Sequence, residues 1–120
     1  MPGKVLVNLA TGLEDAERVT VAFLVATAAV ARGDEVVVWA TKEAVRLGLP
    51  GEAAGVACEG CPPLERLFSQ FEEGGGKLWL CPICVSARGL DDAEKVGIVT
   101  IAGATPMLEW AAGEATVFSY

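Results

Sequence analysis

Lys4-Val-Leu-Val-Asn-Leu-Ala10 and Glu35-Val-Val-Val-Trp-Ala-Thr41 flank a long Ala-rich stretch, and these three segments decide the fold. Each flanking segment is short and rich in apolar and β-branched residues, and reads as a strand buried on both faces. Between them, Thr11 and Glu14 form a T-x-x-E capping box, which predicts a helix starting there. Val19, Ala22, Phe23, Ala26, Ala29 and Val30 recur at the spacing of a helix packed on a sheet. Gly33 is a usual residue just past a helix end, so the helix is expected to run to about Arg32. The unit is β-α-β, whose two strands lie parallel and are joined by a right-handed crossover.

The alternation continues downstream. Thr41 can cap a short helix over 42–47, and Gly48, Pro50, Gly51 and Gly55 mark a loop. Pro62-Pro63 suits the entry of a helix with Leu64, Leu67, Phe68 and Phe71 on its apolar face, stopped by Gly74-Gly75-Gly76. Lys77-Leu-Trp-Leu-Cys81 is a third strand, followed by a turn or short helix from Pro82 to about Arg88. Asp91 and Glu94 resemble the capping start of another short element. A fourth strand is expected over 96–102, a helix from Thr105-Pro106 to about Ala112, and a fifth strand over 115–120. The expectation is one domain over residues 1–120: an α/β three-layer sandwich with a mostly parallel five-stranded sheet and helices on both faces.

Composition bounds the function. At 120 residues the chain can bury about two thirds of its unfolded surface and needs no staples. Sixteen acidic against nine basic residues leave a net charge of −7, which argues against nucleic-acid binding. There is no histidine, so Ser-His-Asp and Cys-His catalysis and imidazole-bound zinc are excluded for this chain. The longest apolar stretch is too short to cross a bilayer, and no leader-like segment precedes the first strand. A cytoplasmic protein with no membrane partner is expected. The 52% hydrophobic content, with Trp39, Trp79 and Trp110, exceeds what one small core covers and predicts a self-associating surface.

The four cysteines are Cys58, Cys61, Cys81 and Cys84, arranged as two C-x-x-C pairs. In open α/β sheets, ligands bind beyond the carboxyl ends of the strands. Cys81 ends the third strand and Cys84 lies one turn on. Cys58 and Cys61 lie in the loop between the second strand and the next helix. The strand order therefore predicts both pairs on one edge of the sheet. Gly74–Gly76 falls between a helix and a strand, on the opposite edge, so it is a helix stop and not a phosphate cradle. No G-x-G-x-x-G or phosphate-loop motif occurs.

A thiol attacks as the thiolate, which helix N-termini and nearby cations favour. Pro82 puts Cys81 before a helical turn whose backbone N–H groups can face the sulfur, and Arg88 adds positive charge nearby. Three chemistries use such cysteines. One is a thiol nucleophile at Cys81, with Cys84 resolving. Another is a structural or regulatory zinc site, because C-x2-C-x19-C-x2-C falls within four-cysteine zinc spacing; its context is poor, since the intervening residues read as a helix and a core strand. The third is a C-x-x-C disulfide oxidoreductase, weakened because thioredoxin folds mix antiparallel strands.

The chain resembles the DsrE/DsrF/TusD-like sulfur-relay family over nearly its whole length. The resemblance rests on the first strand with its Thr11-Gly12 exit, the Ala-rich helix ending Arg32-Gly33-Asp34-Glu35, the 36–39 strand, and Lys77-Leu-Trp-Leu-Cys81-Pro-Ile-Cys84-Val-Ser-Ala-Arg88-Gly-Leu90. It implies a small α/β fold assembled as trimers or hexamers. It also implies a cysteine at the end of the third strand, Cys81 here, that takes sulfane sulfur as a persulfide from a protein donor and passes it to a protein acceptor. Such sulfurtransferase-like relay needs no organic cofactor. Cys58 and Cys61 depart from the family pattern and are candidate redox partners of Cys81.

Overall fold

The computed structural model describes residues 3–120. In chain order the elements are β1 (Lys4–Leu9), α1 (Ala16–Ala31), β2 (Glu35–Ala40), α2 (Leu64–Glu73), β3 (Lys77–Leu80), α3 (Pro82–Ala87), β4 (Val99–Ile101), α4 (Ala104–Ala111) and β5 (Ala115–Ser119). Two 3-10 turns, Lys42–Gly48 and Ala53–Gly55, lie between β2 and α2. The strands form one sheet in the order β4-β3-β2-β1-β5, and every neighbouring pair is parallel. The α/β architecture read from the alternation is therefore the one found.

Strand order follows from the side-chain pattern. β1 is an interior strand paired on both sides, Val7 lying opposite Val38 of β2 and Phe118 of β5. Its buried run suits a strand covered on both faces. Val5, Val7 and Leu9 point with Val36, Val38 and Leu78 into the main core, where α1 and α2 cover them. Phe23 of α1 meets Phe71 of α2 edge-on at 5.6 Å between ring centres and Phe68 at 5.5 Å. Such aromatic pairs add about 0.5–1.5 kcal/mol each beyond the area they bury. The step from β4 back to β5 spans the sheet from edge to edge, so right-handedness sends α4 across the other face. Trp110 of α4 sits there at 6.2 Å from Trp79, beneath the Lys4 ammonium at 5.0 Å.

Local readings differ in three places. The helix predicted from Thr11 begins at Ala16, capped by Asp15, whose carboxylate accepts from the Arg18 N–H at 3.0 Å. Glu14 does not reach back to Thr11 but accepts from the Gly12 N–H at 2.7 Å, closing a tight local turn. No helix starts at Asp91: Ser86 Oγ donates to Asp91 Oδ1, and Lys95 Nζ donates to the carbonyls of Leu90, Asp91 and Ala93. One side-chain ammonium thus organises backbone that a helix would otherwise have satisfied. The fourth strand is shorter than expected, because the Val96 N–H donates to Gly48 O instead of joining the ladder.

Asp34 ties the end of α1 to the start of β1. Its carboxylate accepts from the Gly3 N–H at 2.8 Å and from Arg32 Nε at 2.8 Å. The Gly3 N–H, and then Arg32, hold its carboxyl below the ordinary 3.8. A carboxyl lowered on folding stabilises fully above its unfolded pKa and loses that contribution as pH falls through the lowered folded value. Asp34→Asn is expected to reduce stability at pH 7 and to flatten the acid limb of a Tm-against-pH curve below about pH 4. Parallel acid limbs in the two proteins would refute this.

Candidate functional site at the carboxyl edge of the sheet

The sheet ladder continues one residue past the strands. Ala10 N–H donates to Tyr120 O, Thr41 N–H to Leu9 O, Cys81 N–H to Ala40 O and Ala102 N–H to Leu80 O, at 2.9–3.0 Å. This row runs across all five strand ends and pins the Cys81 backbone between the ends of β2 and β4. Cys81 is the N-cap residue of α3, with Pro82 in the first turn and the Val85 N–H donating to Cys81 O at 3.0 Å. The thiol is a free one and 9% exposed; Cys84 is also free and half-buried. The expected edge position and following helical turn are present. The Cys81 side chain, however, makes no capping hydrogen bond to that turn.

Arg88 does not stand free beside the thiols. Its Nη1 donates to Cys84 O at 3.2 Å, and its Nε is ion-paired with Glu43 Oε2. Glu43 also pairs with Arg46 at 3.1 Å. The Arg88 and then the Arg46 guanidinium hold the Glu43 carboxyl below the usual carboxylate range. The charge assigned to Arg88 is thus largely offset, and its main role is to lock the end of α3 to the segment after β2. Glu43 was not visible in the sequence as part of this edge. Its i+3 spacing to Arg46 signals only a local pair, and nothing local links it to Arg88.

Gly12, noted in the sequence as part of the Thr11-Gly12 strand exit, makes a contact that sequence reasoning missed. A Cβ there would lie 2.5 Å from Glu43 O and 2.6 Å from Glu43 C. The exit of β1 therefore presses directly on the backbone that carries Glu43, which only glycine permits.

The second pair is placed differently. α2 runs back from the carboxyl edge, ending where Gly74 packs on Val30 near the end of α1, so the loop before it lies at the carboxyl edge, as the strand order required. There Cys58 and Cys61 are joined by a disulfide with their Cα atoms 5.3 Å apart. The Cys61 N–H donates to Cys58 O at 3.1 Å, and Gly60 takes the left-handed φ of +78° that this turn requires. The four cysteines are not gathered into one site. Among the described residues, no group of three or more Cys, His, Asp or Glu is placed to hold a metal ion. The four-cysteine zinc arrangement weighed from the spacing is not formed, because β3 is fixed in the sheet while the Cys58–Cys61 turn closes on itself.

A cavity of about 400 Å³ opens on the α4 face, lined by Trp79, Trp110, Lys77, Glu35 and Thr100. It sits toward the amino ends of β2 and β3, on the edge opposite the thiols. No helix among the described residues is long and apolar enough to cross a membrane.

Substitution Gly12→Ala is expected to destabilise the domain by on the order of 1–3 kcal/mol, because the obstacle is backbone and not a flexible side chain. It should also speed alkylation of Cys84 by loosening the Glu43–Arg88 lock. A variant with wild-type Tm and unchanged alkylation would show that the close approach relaxes without consequence.

The pattern of the DsrE/DsrF-like family matches residues 3–120. Among solved structures, the YchN protein from E. coli superposes with a TM-score of 0.81 at 17% identity, covering 100% of both chains. MTH1491 from Methanobacterium thermoautotrophicum, a protein of unknown function, gives 0.75 at 13% identity over 98% of this chain and 99% of its own. BT1422 from Bacteroides thetaiotaomicron, a conserved protein of unknown function, gives 0.65 at 13% over 98% and 95%. Among curated proteins nothing matches the chain. With the family pattern spanning all but its first two residues, the chain belongs to the DsrE/DsrF-like family.

Proposed function

We propose that the protein is a cytoplasmic sulfur carrier that accepts sulfane sulfur as a persulfide on Cys81 and hands it to a protein acceptor. Family membership supports sulfur relay in general. The observation that carries the finer reading is the position of Cys81: a free thiol at the end of β3, pinned by the edge row of hydrogen bonds and followed at once by α3. Loading proceeds by attack of the Cys81 thiolate on the outer sulfur of a donor persulfide, which leaves the donor as a thiolate. Burial of the thiol shields the resulting persulfide from stray thiols. Cys84, on the same turn, is the nearest group able to resolve it, closing a Cys81–Cys84 disulfide and expelling sulfide.

Exposed apolar side chains support assembly of several copies as part of this reading. Ile83 is 78% exposed beside Cys81, and Leu108 and Val117 are 63% and 53% exposed on the α4 face. Side chains of this kind usually mark contact surfaces when they cluster. A trimer or hexamer is the expected assembly. A monomeric mass by light scattering at micromolar concentration would overturn that part.

The carrier reading is tested by intact mass. In Cys84→Ser protein with the Cys58–Cys61 bond left closed, a sulfane donor is expected to add about 32 Da, one sulfur atom. Adding Cys81→Ser should abolish the gain and leave the circular dichroism unchanged. Equal loading with and without Cys81 would defeat the proposal.

A further inference from the structure

β5 ends one side of the sheet, and no described residue pairs with its outer edge. Tyr120 donates its N–H to Asn8 O at 2.9 Å and accepts from the Ala10 N–H at 3.0 Å. Residues along a parallel strand alternate in the side they bond to, so Thr116 and Phe118 also face β1. Ala115, Val117 and Ser119 therefore turn their N–H and C=O groups outward. Proteins blunt such edges with lysine, proline, a bulge or a very short strand. The opposite edge follows that rule, since β4 has only three residues. β5 does not: Ala-Thr-Val-Phe-Ser is uncharged, free of proline and rich in strand formers. Apolar surface lies beside it. Phe118 lines one groove with Val5, Val25, Ala28 and Arg32, and Tyr120 lines another with Glu17, Arg18 and Val21. Arg18, Val21, Val25, Ala28 and Arg32 recur at three- and four-residue steps, so they form one stripe of α1, distinct from the Phe23 stripe in the core. Val21 and Phe118 are each 39% exposed.

We infer that the outer edge of β5 is the contact with a second copy of this chain, the two strands pairing antiparallel about a two-fold axis at Val117. The outward groups are spaced symmetrically about Val117, so this one register satisfies all of them. Val117 exchanges both its bonds with Val117 of the partner subunit. Ala115 does so with Ser119 of the partner subunit, and Ser119 with Ala115 of the partner subunit, about six ladder bonds in all. Phe118 then lies opposite the partner subunit's Thr116, an aromatic and β-branched pair of the kind that stabilises sheets. The same axis sets the two α1 helices antiparallel along the seam. The start of α1 carries Asp15 and Glu17, with Arg18 already paired to Asp15 at 3.8 Å; its end carries Arg32, whose side chain is 73% exposed. Glu17 thus comes to the side of the partner subunit's Arg32, and the uncharged strand puts no like charges on the axis. A contact of this isologous kind gives an even number of copies. Combined with three-fold assembly it gives a hexamer and not a trimer. The inference does not depend on the sulfur chemistry at Cys81, and its failure leaves that reading untouched.

The test measures mass by light scattering and backbone amide hydrogen exchange residue by residue, in the whole chain and in two variants. Val117→Lys puts two ammonium groups face to face on the axis, while a lysine is well tolerated on a free edge. Ser119→Pro removes an outward N–H and leaves the ladder to β1 intact. The unaltered protein is expected as a dimer or hexamer at micromolar concentration, with the Val117 and Ser119 amides protected although they point away from β1. Val117→Lys should halve the mass, keep the circular dichroism and speed exchange at Ser119 by about tenfold or more. Ser119→Pro should halve the mass in the same way, and it decides the matter if the lysine variant does not fold. Val117 and Ser119 amides that exchange at free-peptide rates in the unaltered protein would show an open edge and overturn the inference. Variants that keep the full mass would place the two-fold contact elsewhere and overturn it too. A trimeric mass defeats the inference and leaves the trimer of the assembly reading standing; a monomeric mass defeats both.

Discussion

One row of backbone hydrogen bonds governs the rest of this molecule. Tyr120, Leu9, Ala40 and Leu80 each offer a carbonyl to the first residue past a neighbouring strand, at 2.9–3.0 Å. In an all-parallel sheet every strand leaves by the same edge, and each return must cross a face. The row therefore sets five chain exits side by side and fixes their height. Gly12, Glu43 and Cys81 lie along one edge because β1, β2 and β3 are adjacent and in register, with Trp39 opposite both Asn8 and Trp79. The Arg88–Glu43–Arg46 ion pairs then fasten side chains from two of those exits. Backbone register sets the places, and the charged network holds them.

Most of the fold was legible because it depends on periodicities that are local. The apolar runs at 4–10 and 35–41, the stripe through Phe23 and the Leu64–Phe71 face each follow one period, and each became the element it suggested. Helix starts were less legible. Thr11 and Glu14 have capping-box spacing, but tertiary contact takes precedence: Gly12 must lie flat against Glu43, which delays the helix to Ala16. The edge location of both cysteine pairs followed from strand order alone. What could not be read was which side chains meet across that edge, since Arg88 and Glu43 lie 45 residues apart. Nor could spacing tell a zinc set from a closed turn. Both use C-x-x-C, and here the Cys58–Cys61 turn is closed on itself while Cys81 and Cys84 stay free.

The two faces of the sheet divide its labour. The face under α1 and α2 is the closed core, with Val7, Leu9, Phe23 and Phe71 fully buried. Among the described residues the other face has only the short α4 as helical cover, and its three tryptophans are all half-buried. Trp39 satisfies its indole N–H on Ala102 O at 2.9 Å, which an aromatic at a half-covered surface needs. That bond also anchors the residue after β4 to β2 across the intervening β3. The tryptophan surplus noted in the sequence is therefore a property of this second face and not of the core.

The same C-x-x-C spacing serves two different environments. Cys81 belongs to a junction whose backbone is committed on both sides, its N–H to the sheet and its carbonyl to the first turn of α3. A sulfur placed there is held at one position and sheltered. Cys58 and Cys61 belong to a turn that bonds mainly to itself, with exposed residues between them. A pair placed there closes on itself and takes no support from the sheet ladder. Burial and backbone commitment, not spacing, separate the two environments. Exchanging the local sequences alone would not exchange the chemistry, because the strand end would still shelter whatever thiol it carried.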